Sequence, residues 1–338
     1  MFAPMGKALG AAVAAPVSWL ASAVNPPLKA WQRATGTNGM AAFFLAPNMA
    51  IFAVFVLTPF VINFFYSATS GNAFFLGDRT FVGTEQYERL FDCASYLDPS
   101  TCREDLFWKA VQNTGLFVIL QVALMTVVSI ITALILNREI AARSFWRAVF
   151  FFPVLLSPVV VGLIWRWILQ RQGLLNYMLY SVGLEPHDWL IERSSAFTAA
   201  VTVSVWAHMG FYTLILLAGL QAIPRDLYEA AEMDGTRPAR VFWRITLPLL
   251  MPSLLVVVIL TLIRAVQIFD EVYVLTGGGP GTSTLYITQY IYEVGFASLL
   301  RNPGLAAAAS ILMGAVLVVL TLVQLQLGRR GEKKGARE

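Results

Sequence analysis

Charge is what this sequence has least of. Only 13% of its 338 residues are Asp, Glu, Lys or Arg, against 57% hydrophobic, and the mean hydropathy is +0.66. A soluble domain carries about 25% charged residues, so a fully water-facing surface is excluded and the chain reads as an integral membrane protein. Histidine and cysteine are scarce, two of each. His187 and His208 are remote from Cys93 and Cys102, and no CxxC occurs, which excludes the usual zinc spacings. No GxxxxGK[ST], GxSxG or HExxH motif is present, and no pair of acids sits inside an apolar run. The chain therefore binds no nucleotide by a phosphate loop, offers no catalytic group set and calls for no cofactor of its own. Low-complexity tracts and internal repeats are also missing, which argues against a secondary transporter built from repeats. The glycine-rich stretch TGGGPGTST, from Thr276 to Thr284, lacks the lysine of a phosphate loop and reads as a flexible turn.

What is present is long apolar runs. A helix needs about 20 apolar residues to cross the hydrocarbon layer, and backbone amides in lipid must bond within their own helix. Six segments qualify: Ala42–Tyr66, Val111–Leu136, Val149–Leu169, Ala199–Leu220, Leu249–Phe269 and Leu305–Leu327. The expected fold is an all-α membrane protein with six spans. The third run holds two prolines and an arginine, Pro153, Pro158 and Arg166, and Arg166 is expected to snorkel to the interface beside Trp165 and Trp167.

Basic residues set the orientation. With both termini in the cytoplasm, the inside segments hold fifteen Lys and Arg and the outside segments seven. Residues 328–338, GRRGEKKGARE, then form a basic cytoplasmic tail. In the N-terminal segment 1–40, the stretch MGKALGAAVAAPVSWLASA resembles a signal peptide, with Lys7 and Ala21-Ser22-Ala23, but cleavage would place residue 24 outside, against the charge distribution. Phe2, Met5, Leu9, Val13, Val17, Leu20 and Val24 recur at helical steps, so an amphipathic interfacial helix is expected there. Cys93 and Cys102 share the first outside loop. In an oxidising compartment they can close a disulfide, worth about 2–3 kcal/mol by loop entropy; two unpaired thiols are the alternative.

The segment 222–250 breaks the apolar pattern. It carries Arg225, Asp226, Glu229, Glu232, Asp234, Arg237, Arg240 and Arg244. Pro224 suits a first helical turn and Gly235 the residue past a helix end. Thr236 can cap a second helix, with Pro238 in its first turn and Pro248 at its end. Ala230 and Ala231 keep one face low enough for another surface to approach. The segment reads either as a docking element or as an ordinary amphipathic connector.

Here a family resemblance enters. EAAEMDG followed by ITLPLLMPSL resembles the EAA–G–LP signature of inner-membrane permease subunits of binding-protein-dependent ABC importers, in the carbohydrate branch with the maltose-type and glycerol-phosphate permeases. FVGTEQYERLF, FWKAVQNT, LAGLQAIPRDLYEAAEMDG and VLTGGGPGTST support it, and it covers about residues 40–327. The resemblance implies a permease domain over 41–327 in a bacterial or archaeal inner membrane. It implies a second, homologous permease, two cytoplasmic ATPase subunits that bind ATP and Mg, and an extracytoplasmic solute-binding protein. Coupling positions fall on Tyr228, Glu229, Ala230, Ala231, Asp234 and Gly235. Sugar-contact positions fall on Ser204, Ala207, His208, Phe211, Thr261 and Ala265, although Ala207, His208 and Ala265 depart from the maltose-type pattern.

Two polar stripes in the spans point to a passage. Ser204, His208 and Tyr212 recur every four residues, beside Phe211, and Thr261, Arg264 and Gln267 every three. An arginine in a span costs about 2.5–3.5 kcal/mol near the bilayer centre. Arg264 thus either meets an anionic sugar or pairs with Asp270, Glu271 or a partner chain. The expected function is the sugar path of an importer in contact with membrane lipid, with no nucleic acid. A membrane scaffold that docks a cytoplasmic protein without conducting substrate is the alternative.

Overall fold

A computed structural model describes residues 25–26, 29, 31–33, 35–73 and 75–335, with the backbone alone for 327–335. The expected interfacial helix over Phe2 to Val24 lies outside the described residues, as do the last three residues of the basic tail. The chain forms two compact units that divide between Phe65 and Tyr66. The first contains nearly all of helix α1, Thr35–Ser67. Within α1, Ala53–Leu57 form a π turn, closed by the Thr58 amide and hydroxyl on the Ala53 carbonyl. Pro59 follows directly. A proline removes the donor for the carbonyl four residues back and crowds that turn, and the wider turn accommodates it.

The second unit begins with a two-residue antiparallel pair, β1 (Thr69–Ser70) and β2 (Thr80–Phe81), then α2 (Glu85–Phe91) and the 33-residue α3 (Asp105–Asn137). α4 (Arg143–Phe151) runs into a 3-10 turn, Phe152–Leu155, and α5 (Pro158–Leu169) and α6 (Leu174–Ser181) follow. α7 (Arg193–Gln221) precedes α8 (Arg225–Met233) and α9 (Pro238–Val266). α10 (Asp270–Thr276), α11 (Ile287–Tyr292) and α12 (Pro303–Gly335) complete the chain.

Among the described residues, five helices are long and apolar enough to cross a membrane, or six if one bent pair counts as a span. That pair is the third run, which the sequence presents as one helix. Arg143–Leu155 and Pro158–Ser181 meet at 100°. Pro153 and Pro158 explain the break. Each lacks a donor, and Ser157 is extended (φ −61°, ψ 136°), as a residue before proline prefers. The fifth span departs in the other direction. Pro248 does not end a helix, because a π turn at Phe242–Thr246, closed by Leu247 N–H on Phe242 O, carries α9 through it. The same arrangement occurs before Pro59 in α1.

The core of the second unit lies between α3, α7 and α9. Phe117, Met125, Leu136, Leu216, Leu250 and Val257 are fully buried there. The buried residues of α3, from Phe107 through Ala110, Thr114, Phe117, Gln121, Met125, Ser129 and Ala133, step by three and four along one stripe. Lipid offers little hydrophobic drive for helices to associate, so close backbone approach matters. Three glycines allow it. A Cβ on Gly162 would lie 2.7 Å from Glu271 O, one on Gly210 would overlap Phe150 O, and one on Gly219 would overlap Ser253 Oγ.

One end of this unit is rich in loops, and it is ordered. Arg79 is buried with its guanidinium on Thr69 Oγ1, Gly71 O and Ala73 O (2.7, 2.7 and 2.8 Å) and over the Tyr66 ring. Cys93 and Cys102 form a disulfide within an isolated antiparallel bridge. The glycine-rich stretch is not a free turn. Asn113 donates to Thr282 O and Leu285 O, and Thr284, fully buried, donates to Gly279 O and bonds Thr276. Gly277, Gly278 and Gly281 take positive φ angles that permit this path.

Candidate functional site

Two places bring the sequence candidates together. The first is among the spans. On α7, Ser204, His208 and Tyr212 do share one face, and Ser204 lies deepest. Its hydroxyl accepts from Gln121 Nε2 of α3 (3.1 Å) and donates to Glu271 Oε1 of α10 (3.3 Å). Glu271 is 3% exposed. It does not pair with Arg264, one of the expected partners. Its only described cationic-type neighbour is the His208 ring, 3.8 Å away, because α10 turns it toward α7 and α5.

His208 Nδ1 lies 2.9 Å from Ser204 O. A carbonyl only accepts, so Nδ1 carries the proton. Nε2 then presents a lone pair, and Arg264 of α9 donates to it through Nη2. The imidazole in this arrangement is neutral. Among the described residues no carboxylate reaches Arg264 within 4.0 Å, neither Asp270 nor Glu271.

His208, Phe211, Tyr212 and Arg264 line a cavity of about 370 Å³, closed on the other side by Pro153, Pro158 and Val161 at the α4–α5 break. A second cavity, about 320 Å³, adjoins Arg264, Gln267, Asp270 and Glu271. Arg264 thus stands between the two. Thr261 and Ser204 are buried behind these walls rather than lining them. Ala207 lines the first cavity, and Ala265 is buried. Gln121 is the member that sequence reasoning left out of the site, although a single amide within FVILQVALM is a readable signal. Glu271 was named only as a possible partner of Arg264, since nothing in its neighbourhood shows that α10 folds back onto α5 and meets Ser204. Arg166, near the end of α5, is exposed and reaches Val274 O at 3.4 Å.

The second place is α8. Its end is a complete two-bond cap: Thr236 N–H donates to Ala231 O and Gly235 N–H to Glu232 O, both 2.9 Å. This arrangement requires a left-handed residue at the bend, and Gly235 has φ +63°. The bend is closed by backbone, and Glu229 is exposed with Ala230, Met233 and Asp234. Ala231 departs from expectation. It is 7% exposed, buried against its own chain, so it is small for internal packing and not for a partner's approach. Tyr228 is half-buried and its hydroxyl meets Thr246 Oγ1 at 3.1 Å, joining α8 to the base of α9. Thr236 does not cap the second helix; Arg237 occupies the cap position, and Pro238 is the first helical residue.

Residues 125–333, which contain both places except Gln121, match the model of the binding-protein-dependent transport system inner membrane component family. The chain belongs to this family. As a member it is a multi-pass transport permease, similar to curated permeases from archaea and bacteria. It is 36% identical over 286 residues to the trehalose/maltose transport system permease protein MalF of Thermococcus litoralis, covering 84% of this chain and 92% of that one. It is 34% identical over 302 residues to the sulfoquinovosyl glycerol transport system permease protein SmoG of Agrobacterium fabrum, covering 87% and 92%. Its fold is similar to a chain of a bacterial ABC transporter involved in the import of the acidic polysaccharide alginate, with TM-score 0.73 at 23% identity over 89% of this chain and 99% of that one. In this permease the family match begins inside α3, so the end of α3 and the elements from α4 into α12 carry the shared architecture, with Gln121 just before it.

Proposed function

We propose that this chain is one membrane subunit of an ATP-driven importer for a sugar or oligosaccharide. It lines the passage with a second permease subunit and receives its cargo from an extracytoplasmic binding protein. Two cytoplasmic ATPase subunits, which hold ATP and Mg, act on it through α8. The membrane is the inner membrane of a prokaryote, with both termini and α8 on the cytoplasmic side. The excess of Lys and Arg in those segments supports this orientation.

The observation that carries the reading is the cavity of His208, Phe211, Tyr212 and Arg264 between helices long enough to span a bilayer. Polar groups at that depth mark a substrate pathway or a partner contact. Hydrogen-bonding groups beside an aromatic face match a sugar's hydroxyls and its C–H surface. The relatives support the substrate class: the names of MalF and SmoG state trehalose/maltose and sulfoquinovosyl glycerol. The exposed side of α8, continuous through Tyr228 with α9, supports the route of force. A scaffold needs no cavity of this kind, so the importer reading is preferred.

The test is reconstitution. The chain is purified with the subunits that co-purify with it and placed in liposomes with the binding protein. ATP-dependent sugar uptake, together with hydrolysis stimulated by the loaded binding protein, is expected. Co-purification without an ATPase, or hydrolysis without uptake of any saccharide, would leave the scaffold reading standing instead.

A further inference from the structure

We propose that the cargo bears a carboxylate, and that Arg264 reads it in the cavity between the α4–α5 break, α7 and α9. This rests on the reading that the cavity belongs to a sugar path, and it narrows that path to an acidic saccharide. Three observations carry it.

The first is the unspent fork of Arg264. A guanidinium carries five N–H donors, and among the described residues one bond is made, to His208. That partner does not neutralise it. His208 holds its proton on Nδ1 against Ser204 O and offers only the Nε2 lone pair, so it orients the guanidinium and leaves its charge intact. The residue remains exposed to the cavity rather than buried in a protein contact.

The second is where the acids are. Asp270 and Glu271 border the other cavity, on the far side of Arg264. Among the described residues, the cavity walled by the two prolines has no carboxylate in its lining, and its charged group is Arg264. An anion entering there meets a cation without meeting a like charge. Glu271 is fixed behind Ser204, with its Oε1 on that hydroxyl, so it offsets the arginine's charge at a distance without occupying its donors.

The third is geometry. The planar guanidinium matches a planar carboxylate through two parallel bonds, which an ammonium does not. Around that point the walls are Phe211, Pro153 and Pro158, apolar surfaces for the ring's C–H faces, with Tyr212 beside them. The cavity volume of about 370 Å³ is at the small end of the range for small-molecule sites, roughly 300–1,000 Å³.

The experiment uses the whole reconstituted transporter and a matched pair of probes: a trisaccharide ending in a uronic acid, and the same trisaccharide with that carboxyl reduced to an alcohol. Uptake of each is measured in competition. The wild-type complex is expected to favour the acid at least tenfold. Arg264→Gln is expected to reduce the acid-to-alcohol ratio at least tenfold, and Arg264→Lys, which keeps the charge and loses the fork, to give an intermediate ratio. A wild-type complex that takes up the reduced trisaccharide and not the acid overturns the inference while the sugar-importer reading stands. So does Arg264→Gln with an unchanged ratio. Uptake of neither probe, together with uptake of no other saccharide, sinks both. If Arg264→Gln fails to assemble, the wild-type ratio and the Lys variant still decide.

Discussion

At the scale of the residue, this permease places its polarity in a chain, and the links are unequal. Ser204 is a donor and an acceptor at once, so Ser204→Ala strands two buried groups, the Gln121 amide and the Glu271 carboxylate. Each buried orphan costs about 1–3 kcal/mol, more where charge is involved. Gln121→Leu removes one donor and leaves Ser204 bonded to Glu271, so its cost is about 1 kcal/mol. Thermal unfolding of the detergent-solubilised protein should rank them in that order, with Ser204→Ala clearly the lower. Equal midpoints would show that the chain does not act as described. Sequence reading reached Ser204, His208, Tyr212 and Arg264 because a polar residue in an apolar run is conspicuous. It did not reach their partners' roles. Spacing along α7 fixes which side chains share a face, but the fold-back of α10 decides that Glu271 meets Ser204 and leaves Arg264 unpaired.

At the scale of the element, glycines and prolines decide what the apolar pattern alone leaves open. Gly210 lies against the backbone of Phe150 and Phe151, whereas Gly219 lies against the side chains of Ser253 and Leu250. Backbone cannot move aside as a side-chain tip does. Gly210→Ala is therefore expected to force α4 from α7 and to cost about 1–3 kcal/mol, as overpacked cores do. Gly219→Ala should cost less, with Ser253 turning away. The comparison can be made on thermal midpoints of the two variants, and a greater loss for Gly219→Ala would contradict the packing described. Most of the spans were legible, since lipid demands long apolar helices, but their starts were not: the helices begin in polar residues ahead of the apolar runs, α9 at Pro238 rather than Leu249 and α3 at Asp105 rather than Val111. The broken third span and the unbroken fifth were not, since both contain prolines and only local backbone geometry distinguishes a 100° break from a π turn. In the loop-rich end, the Cys93–Cys102 disulfide closes a short loop. Removing it with Cys93→Ser and Cys102→Ser should cost about 2–3 kcal/mol by loop entropy, read as faster amide exchange from 92 to 104, while α7 to α9 exchange as before.

At the scale of the whole molecule, the two candidate places are joined by one helix. α8 ends in a rigid cap, Tyr228 ties it to Thr246, and from Pro238 the same helix runs through Pro248 to Arg264 at the cavity. α9 thus gives a continuous helical connection from the end that Tyr228 holds to the cavity wall. The exposed side of α8 presents Glu229, Ala230, Met233 and Asp234, and Met233 is 88% exposed. If that side is the contact with the ATPase, Met233→Asp replaces an apolar contact side chain with a charge while leaving the internal packing of Ala231 and Tyr228 untouched. The expected result is a fully inserted chain, an ATPase that still hydrolyses at its basal rate, and at least a tenfold loss of uptake driven by the loaded binding protein. Ala231→Leu serves as the counterpart. Because Ala231 faces inward, it should lower the thermal midpoint of the permease itself, which Met233→Asp should not. Uptake at the wild-type rate in Met233→Asp would mean that force enters this permease somewhere other than the exposed side of α8.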